Sequence, residues 1–249
     1  MRAPTGGLPG PLTGFLDRAR TARAARVLAA GGVAVLPTDT LYGFHCAASR
    51  LDAAERIRAA KGRGVNAGFI LLACDLDMVD GLVSRWPARA RETLRGIWPA
   101  PLTAILPASR AVPRGLSPRG TVAVRVPARE ELRAIIRLLG EPAVSTSVNI
   151  TGRRPMSRIA AIRARFPGFE AYLSLRGRPL GLPSTVVDFT GAAPRLVRAG
   201  AFPWAPEGGR RAPSFPPAAR AARRVRGREA RTGGASGSRW NRQSSKPSK

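Results

Sequence analysis

Short apolar runs alternate with segments of helical character through about the first 200 residues of the chain. The apolar runs predict strands at 33–36, 69–74, 102–106, 121–126, 143–147 and 185–189. Helices are predicted before and between them at about 15–30, 52–61, 87–97 and 130–139. This alternation predicts an α/β or α+β domain from about residue 15 to residue 204.

Glycine, proline and acidic residues mark the ends of the predicted helices. Gly31-Gly32 follows the first helix and Gly140 follows the fourth, as expected for C-terminal stops. Trp98-Pro99 ends the third helix, because a residue that precedes proline disfavours helical geometry. Asp52 and Glu55 have the spacing of a capping box at the start of the second helix.

The pattern of strands and helices stops after Trp204. Residues 205–249 hold 12 basic and two acidic residues among glycine, serine, proline and alanine. Such a segment cannot bury enough apolar surface to offset the entropy of ordering, so it is predicted to be a basic disordered tail. Residues 1–14 are predicted to be a flexible lead-in. Either solvation alone or contact with nucleic acid accounts for the charge of the tail.

Composition limits the classes of function. The 249-residue chain has a formal net charge of +27, which makes a polyanion such as RNA a plausible partner. It has no apolar run of the length that a membrane span needs, which predicts no membrane partner. Cys46 and Cys74 form no CxxC pair, and with a single histidine they cannot supply a structural zinc site. This cysteine usage favours a reducing, cytoplasmic setting.

Polar residues cluster where predicted strands end. The sequence LPTDTLYGFHCAA, at 36–48, follows an apolar strand and offers several polar side chains within one predicted loop. Lys61-Gly62-Arg63-Gly64 follows a helix, and its two cations suit phosphate oxygens, although a solvated loop is the simpler explanation of this segment alone. His45 and Asp39 are interpreted as structural residues rather than catalytic ones.

Two more clusters and one isolated arginine complete the set of candidate side chains. Ser145 to Asn149 carries small hydroxyls and an amide that can bond phosphate or ribose, or form a plain turn. Pro183 to Asp188 is followed by Arg195 and Arg198. Arg125 lies among valines in a strand, where it must face either solvent or an anion. Walker A and GxGxxG motifs are absent.

Taken in order, six segments resemble one known family. They read PTDTLYGFHCAA, KGR, WPAPLTAILP, VAVRVP, STSVNITG and STVVD. The chain resembles the YrdC-like family of threonylcarbamoyl-AMP synthases, in its short single-domain bacterial form, over about residues 18–202. The resemblance implies an open twisted mixed α/β sheet flanked by helices, with a concave, basic, ligand-binding face.

The resemblance also implies an activity and its partners. Family members convert L-threonine, bicarbonate or CO₂, and ATP into threonylcarbamoyl-adenylate and pyrophosphate. A threonylcarbamoyl-transferase complex then passes the group to tRNA. Because the reactants are anionic, the site must neutralise charge and align groups rather than supply a nucleophile. Mg²⁺ is expected with ATP.

The resemblance assigns a role to each residue of this sequence that matches a functional position in a family motif. Lys61 and Arg63 are expected to be the catalytic pair that holds the ATP phosphates. The remaining residues expected to bind ATP are Thr121, Ser147, Asn149 and Arg198. Threonine is expected to lie against Thr40, Arg125, Ser145 and Ser184. No protein-bound metal is expected.

Two positions depart from the family pattern. Gly64 replaces the usual proline after KGR, and Ala67 replaces the usual lysine or asparagine. A phosphate or ribose contact is therefore expected to be missing.

Two alternatives from other classes stay open: a non-catalytic tRNA- or RNA-binding protein of the same fold, and a carbamoyl-transfer module of the kind found in hydrogenase maturation.

Overall fold

A computed structural model describes residues 11–62, 68–150, 153–175 and 177–205 of the chain, with side chains from Asp17 onward. The helices are α1 Pro11–Ala29, α2 Leu51–Ala60, α3 Leu76–Asp80, α4 Ala90–Ile97, α5 Glu130–Leu139 and α6 Ile159–Arg165. The strands are β1 Ala34–Pro37, β2 Tyr42–Ala47, β3 Ile70–Leu72, β4 Leu102–Pro107, β5 Thr121–Arg125, β6 Ala143–Ser147, β7 Ala171–Tyr172, β8 Thr185–Asp188 and β9 Arg195–Arg198.

In the described part of the chain, these strands form one mixed sheet in the order β7-β1-β2-β6-β3-β5-β4-β8-β9. Neighbouring strands are antiparallel except for three pairs, which are parallel: β1 with β7, β3 with β5, and β4 with β8. A mixed sheet flanked by helices confirms the predicted fold class.

The core lies in two layers because side chains alternate between the faces of each strand. Helices α1 and α5 cover one face, where Leu28 and Ile135 pack with Leu36 and Leu72. Helices α2 and α4 belong to the core of the other face. In β5, Val122 and Val124 join that second core. Arg125 is therefore directed to the face that α1 and α5 partly cover.

The turn between β1 and β2 reaches across this face. In the sheet order β1 and β5 are separated by three strands, which corresponds to about 19 Å between their axes in a flat sheet. Asp39 Oδ2 nevertheless accepts a hydrogen bond from the backbone N–H of Ala128, just after β5, over 3.2 Å. The β1–β2 turn and the segment after β5 therefore meet over this face, which we call the inner face, and the cleft lies beside the turn.

Two helix starts differ from the sequence prediction. Helix α1 begins at Pro11 rather than at residue 15, so residues 11–14 are helical, and residues 1–10 lie outside the described residues. The predicted capping box is wrong, because Arg50 is the N-cap residue of α2 and makes no side-chain cap. Asp52 lies in the first turn and accepts hydrogen bonds from the Arg50 guanidinium instead.

Several elements were not predicted at all. Strand β2 occupies much of the segment 36–48, for which the sequence predicts a loop. Strands β1 and β2 form a hairpin with a short turn at 38–41. Helices α3 and α6 and strands β7 and β9 also lacked a sequence signal.

The basic segment from residue 206 onward lies outside the described residues. No helix in the described ranges is long and apolar enough to cross a membrane.

Candidate active site

A cleft of about 610 Å³, partly open to solvent, lies between the β1–β2 turn, the inner face of the sheet and the start of β8. Polar side chains make up much of its wall. The lining residues are Thr38, Thr40, Leu41, Tyr42, Gly43, Gly68, Ile70, Arg125, Ser145, Thr146, Ser147, Pro183, Ser184 and Arg198. The strands therefore gather hydroxyls and two arginines from four distant parts of the chain.

Thr38 organises the β1–β2 turn. Its hydroxyl donates to the carbonyl oxygen of Leu41 over 2.8 Å and accepts from the backbone N–H groups of Thr40 and Leu41. Thr38 Oγ1 also lies 2.8 Å from Thr40 Oγ1. Either hydroxyl can donate across this contact, which ties Thr40 to the turn beside the cleft.

Arg125 is held at the centre of the cleft wall. Its side chain is 3% exposed, and Nη1 donates to Thr40 Oγ1 over 3.0 Å. Asp39, 8% exposed, supplies the counter-charge, with its Oδ1 lying 3.4 Å from Arg125 Nη2. Arg125 Nε has no hydrogen-bond partner among the described residues. A buried guanidinium with donors still unused is suited to a ligand carboxylate.

Arg198 provides a second cation, at the other side of the cleft. Its Nη2 donates to the backbone oxygen of Ser184 over 2.8 Å and to Ser184 Oγ over 3.2 Å. Ser184 Oγ is in turn 2.9 Å from Thr103 Oγ1. Burial lowers the pKa of Arg198 from its ordinary value, and the nearby positive charge of Arg125 adds to this effect. Two arginines that repel each other favour an anion between them.

The loop before β8 closes against the β1–β2 turn. The backbone N–H of Leu180 donates to the carbonyl oxygen of Asp39, and that of Gly181 donates to the carbonyl oxygen of Thr40. These two bonds hold Pro183 and Ser184 at the edge of the cleft. The arrangement fixes the distance between the Arg125 and Arg198 sides.

Lys61 is placed under the turn that follows β6. It is 3% exposed, and its Nζ donates to Asn149 Oδ1 and to the Asn149 carbonyl oxygen, each over 2.9 Å. It also bonds the carbonyl oxygen of Ser147. Ser147 Oγ donates to Asn149 Oδ1 over 2.7 Å. Lys61 thus shapes the Ser147 to Asn149 turn, and it does not itself line the cleft.

His45 lies directly behind Ser145. The two residues face each other across β2 and β6, and His45 Nε2 is 3.2 Å from Ser145 Oγ. Burial lowers the pKa of His45 to about 4, and the positive charge of Arg125 contributes in the same direction. The imidazole is therefore neutral near pH 7.

Six of the residues predicted from the sequence meet in the cleft: Thr40, Arg125, Ser145, Ser147, Ser184 and Arg198. Lys61 and Asn149 lie beside it, behind Ser147. Thr121 is not among the lining residues, and its hydroxyl donates to the carbonyl oxygen of Pro118 over 3.1 Å. Arg63, Gly64 and Ala67 lie outside the described residues.

Sequence reasoning missed several lining residues. Thr38 was visible as a hydroxyl directly after a buried strand and Pro37, which is the signal of a side chain that organises a turn. Gly43 had no such signal. A Cβ atom at Gly43 would lie 2.7 Å from Cε1 of His45, so the absence of a side chain there makes room for the imidazole.

A mixed sheet flanked by helices, with a cleft lined by arginines and hydroxyls, defines an α/β protein whose cleft is suited to anions. Residues 26–200 match the Sua5/YciO/YrdC family, which carries the description "Telomere recombination". The chain belongs to this family. It is 37% identical to the threonylcarbamoyl-AMP synthase of Nitrosococcus oceani over 172 residues, which are 68% of this chain and 92% of that protein.

Solved structures that are similar to this chain include members of the same family. The crystal structure of P. abyssi Sua5 complexed with L-threonine is similar with a TM-score of 0.70 and 31% identity. The similarity covers 75% of this chain and 55% of that one, so the chain spans about half the length of that protein. E. coli YciO gives a TM-score of 0.67 and 29% identity, over 74% of this chain and 90% of that one.

Proposed function

We propose that the chain is a threonylcarbamoyl-AMP synthase, a nucleotidyltransferase. It converts L-threonine, bicarbonate or CO₂, and ATP into threonylcarbamoyl-adenylate and pyrophosphate. The threonine amine adds to CO₂ and loses a proton, which gives a carbamate. A carbamate oxygen then attacks the α-phosphorus of ATP, and the bond to the β-phosphate oxygen breaks to release pyrophosphate.

The observation that carries this proposal is a pair of arginines, the buried Arg125 and the solvent-exposed Arg198, on opposite sides of one hydroxyl-lined cleft. Carbamate and triphosphate are both anions, and their mutual repulsion must be offset before they can react. Arg125 and Arg198 supply that positive charge in a cleft that is partly open to solvent. Neither step requires a nucleophile from the protein, which agrees with the residues that line the cleft.

The threonine end of the cleft is assigned to the Arg125 side. The unused N–H groups of Arg125 are donors for the threonine carboxylate, and Thr40 Oγ1 is an acceptor for its amine. Ser145 and Ser184 complete this end with hydroxyls. The solved complex of P. abyssi Sua5 with L-threonine supports the assignment of an amino acid to this cleft.

The nucleotide end is assigned to the turn after β6 and to Arg198. Ser147 lines the cleft, while Lys61 and Asn149 hold the shape of the turn. We assign Arg63 to the phosphates on the family pattern. Thr121 is retained as a nucleotide contact on the same pattern, and it then lies at the far edge of the site.

Mg²⁺ enters with ATP in this proposal, as part of the substrate. Among the described residues no group of three or more acidic, histidine or cysteine side chains could hold a metal ion. Asp39 is paired with Arg125 and with the Ala128 N–H. In this proposal its ligands are phosphate oxygens and water, in keeping with the way Mg²⁺ usually binds nucleotides. The ion supplies charge neutralisation on the phosphates.

The adenylate product is proposed to serve tRNA modification, through a threonylcarbamoyl-transferase complex. A mixed anhydride of carbamate and phosphate is reactive, so a downstream acceptor must consume it. The strongly basic chain supports tRNA as a partner. Both cysteines are free and buried, which supports a cytoplasmic location.

Pyrophosphate release tests the proposal. The purified chain is incubated with Mg-ATP, L-threonine and bicarbonate, and each substrate is then omitted in turn. We expect release only with all three, together with a product that has the mass of threonylcarbamoyl-adenylate. Equal release without threonine would contradict the amino-acid assignment, and tRNA binding without any release would favour a non-catalytic RNA-binding protein.

A further inference from the structure

His45 is buried behind the cleft and is not used by the chemistry proposed above. The chain has one histidine, and it is fully shielded from solvent. Its Nε2 is 3.2 Å from Ser145 Oγ, whereas its Nδ1 has no hydrogen-bond partner among the described residues. Ser145, which lines the cleft, is the one side chain among the described residues that bonds the imidazole, and the backbone at Ala34 and Gly43 also lies near enough to the ring to raise its pKa.

The two ring nitrogens decide the direction of this hydrogen bond. A neutral imidazole carries one N–H group and one bare nitrogen. A buried N–H group without an acceptor is rarer in proteins than an acceptor that lacks a donor. Nδ1 has no hydrogen-bond partner among the described residues, which favours an N–H group on Nε2 that donates to Ser145 Oγ.

This direction determines what Ser145 offers to a ligand. Its oxygen accepts from His45, and no other described residue accepts its hydroxyl hydrogen. That hydrogen is therefore free to point into the cleft. Hydrogen bonds in a chain polarise each other, so a hydroxyl that accepts from His45 is also a stronger donor. The charge of the cleft, with Arg125 and Arg198, favours an anionic acceptor.

We propose that His45 is a positioning residue that donates from Nε2 to Ser145 and so directs the Ser145 hydroxyl hydrogen toward a carboxylate or carbamate oxygen of the amino-acid substrate. The proposal rests on the proposed function for the identity of the ligand. The orientation of the hydrogen bond does not depend on it. Gly43 contributes by leaving space for the ring, since a Cβ there would lie 2.7 Å from His45 Cε1.

The single histidine makes a direct test possible. Protein labelled with ¹⁵N at histidine gives one pair of imidazole resonances, and their shifts report which nitrogen carries the hydrogen. We expect a protonated Nε2 and a bare Nδ1 in the free protein near pH 7, and a further shift of Nε2 when L-threonine is added. A proton on Nδ1, or an Nε2 shift that does not respond to bound threonine, would overturn the proposal.

Matched variants provide a second test, in the pyrophosphate-release assay. His45→Gln places an amide N–H near the position of Nε2, whereas the shorter side chain of His45→Asn cannot reach Ser145. We expect the threonine KM to rise about tenfold in His45→Asn and by less than about threefold in His45→Gln, with the ATP KM unchanged in both. Equal threonine KM values in the two variants would contradict a positioning role.

The Ser145→Ala variant separates this role from general damage to the fold. If His45 acts through Ser145, then adding His45→Asn to Ser145→Ala should not raise the threonine KM further. Additive effects would overturn the proposal. A wild-type protein that releases no threonine-dependent pyrophosphate would refute the proposed function. In that case the tautomer in the free protein still decides the direction of the His45–Ser145 bond.

Discussion

Arg125 Nη1 donates to Thr40 Oγ1 over 3.0 Å, and this bond joins two residues that are 85 positions apart in the chain. The Thr40 hydroxyl is hydrogen-bonded to the Thr38 hydroxyl, which in turn bonds the backbone of the β1–β2 turn. The guanidinium is therefore fixed before any ligand arrives. A fixed buried donor loses little conformational entropy on binding, which favours tight recognition of a small anion.

Replacing Arg125 by alanine tests this recognition. A charge-assisted hydrogen bond contributes roughly 1.5–3 kcal/mol, so we expect the threonine KM to rise by about 10- to 150-fold. Arg125→Lys is the matched control, because it keeps the charge and loses the planar fork, and we expect an intermediate KM. An unchanged threonine KM in Arg125→Ala would mean that threonine binds elsewhere.

Replacing Lys61 by methionine tests its role under the turn after β6. The ammonium bonds oxygens of both Ser147 and Asn149, and its loss leaves buried acceptors without a donor. We expect a loss of about 1–3 kcal/mol in the free energy of unfolding, together with a higher ATP KM. Urea unfolding measures the first effect without any substrate. If Lys61 served only the phosphates, the stability of the free protein would not change.

The buried histidine predicts a specific sensitivity to acid. The pKa of His45 is lowered from 6.5 to about 4 in the folded chain, so the unfolded chain binds a proton there at a higher pH. Stability from this residue is present above pH 6.5 and is lost as pH falls through about 4, by about 3 kcal/mol in total. Urea unfolding of the wild type and of His45→Gln, at pH 7 and at pH 4, measures this loss in the free energy of unfolding. The wild type should lose about 3 kcal/mol more than the variant, and equal losses would contradict a buried neutral imidazole.

Removing residues 206–249 tests the predicted division of the chain. Phe202 is buried in the core and Trp204 packs edge-on against Phe189, so a cut after Ala205 leaves these contacts intact. We expect adenylate synthesis to be retained and the salt dependence of tRNA binding to become shallower, because fewer phosphate contacts release counterions. A folded but inactive truncated protein would assign the removed segment to the active site.

Ala67 tests the departure from the family pattern. On the family pattern, a lysine there is expected to add an ammonium near the phosphates, and with solvent screening the contact is worth about 1 kcal/mol. We expect Ala67→Lys to lower the ATP KM by about fivefold at low salt, with a smaller effect as the salt concentration rises. The threonine KM is the control and should stay constant. An unchanged ATP KM at low salt would mean that position 67 does not face the nucleotide.

Continuous apolar runs and glycine stops predicted much of the sheet and the main helices. Strand β6 has the predicted bounds, and α5 ends at Gly140 as expected. Elements without an apolar run were missed: β2 contains His45 and Gly43, and β9 reads RLVR with all four residues exposed. These strands owe their conformation to their neighbours in the sheet, which local periodicity does not report.

The candidate site shows the same limit. The resemblance to a known family identified Arg125, Ser145, Ser184 and Arg198 as site residues. Nothing in the local sequence pattern predicts that these four residues lie together. The contact between His45 and Ser145 depends on the register of β2 against β6, which the sequence does not specify. Lys61 was expected to bind phosphate directly, whereas its bonds to the Ser147 to Asn149 turn became visible only with the fold.

The two backbone bonds from Leu180 and Gly181 to the β1–β2 turn have a consequence for synthesis of the protein on the ribosome. The first residue of the cleft wall is Thr38 and the last is Arg198. A nascent chain that has formed β1, β2 and β5 still lacks one wall of the site until β8 and β9 have emerged and paired. Partly made chains consequently cannot hold the complete set of ligands, and substrate binding reports that the whole sheet has been assembled.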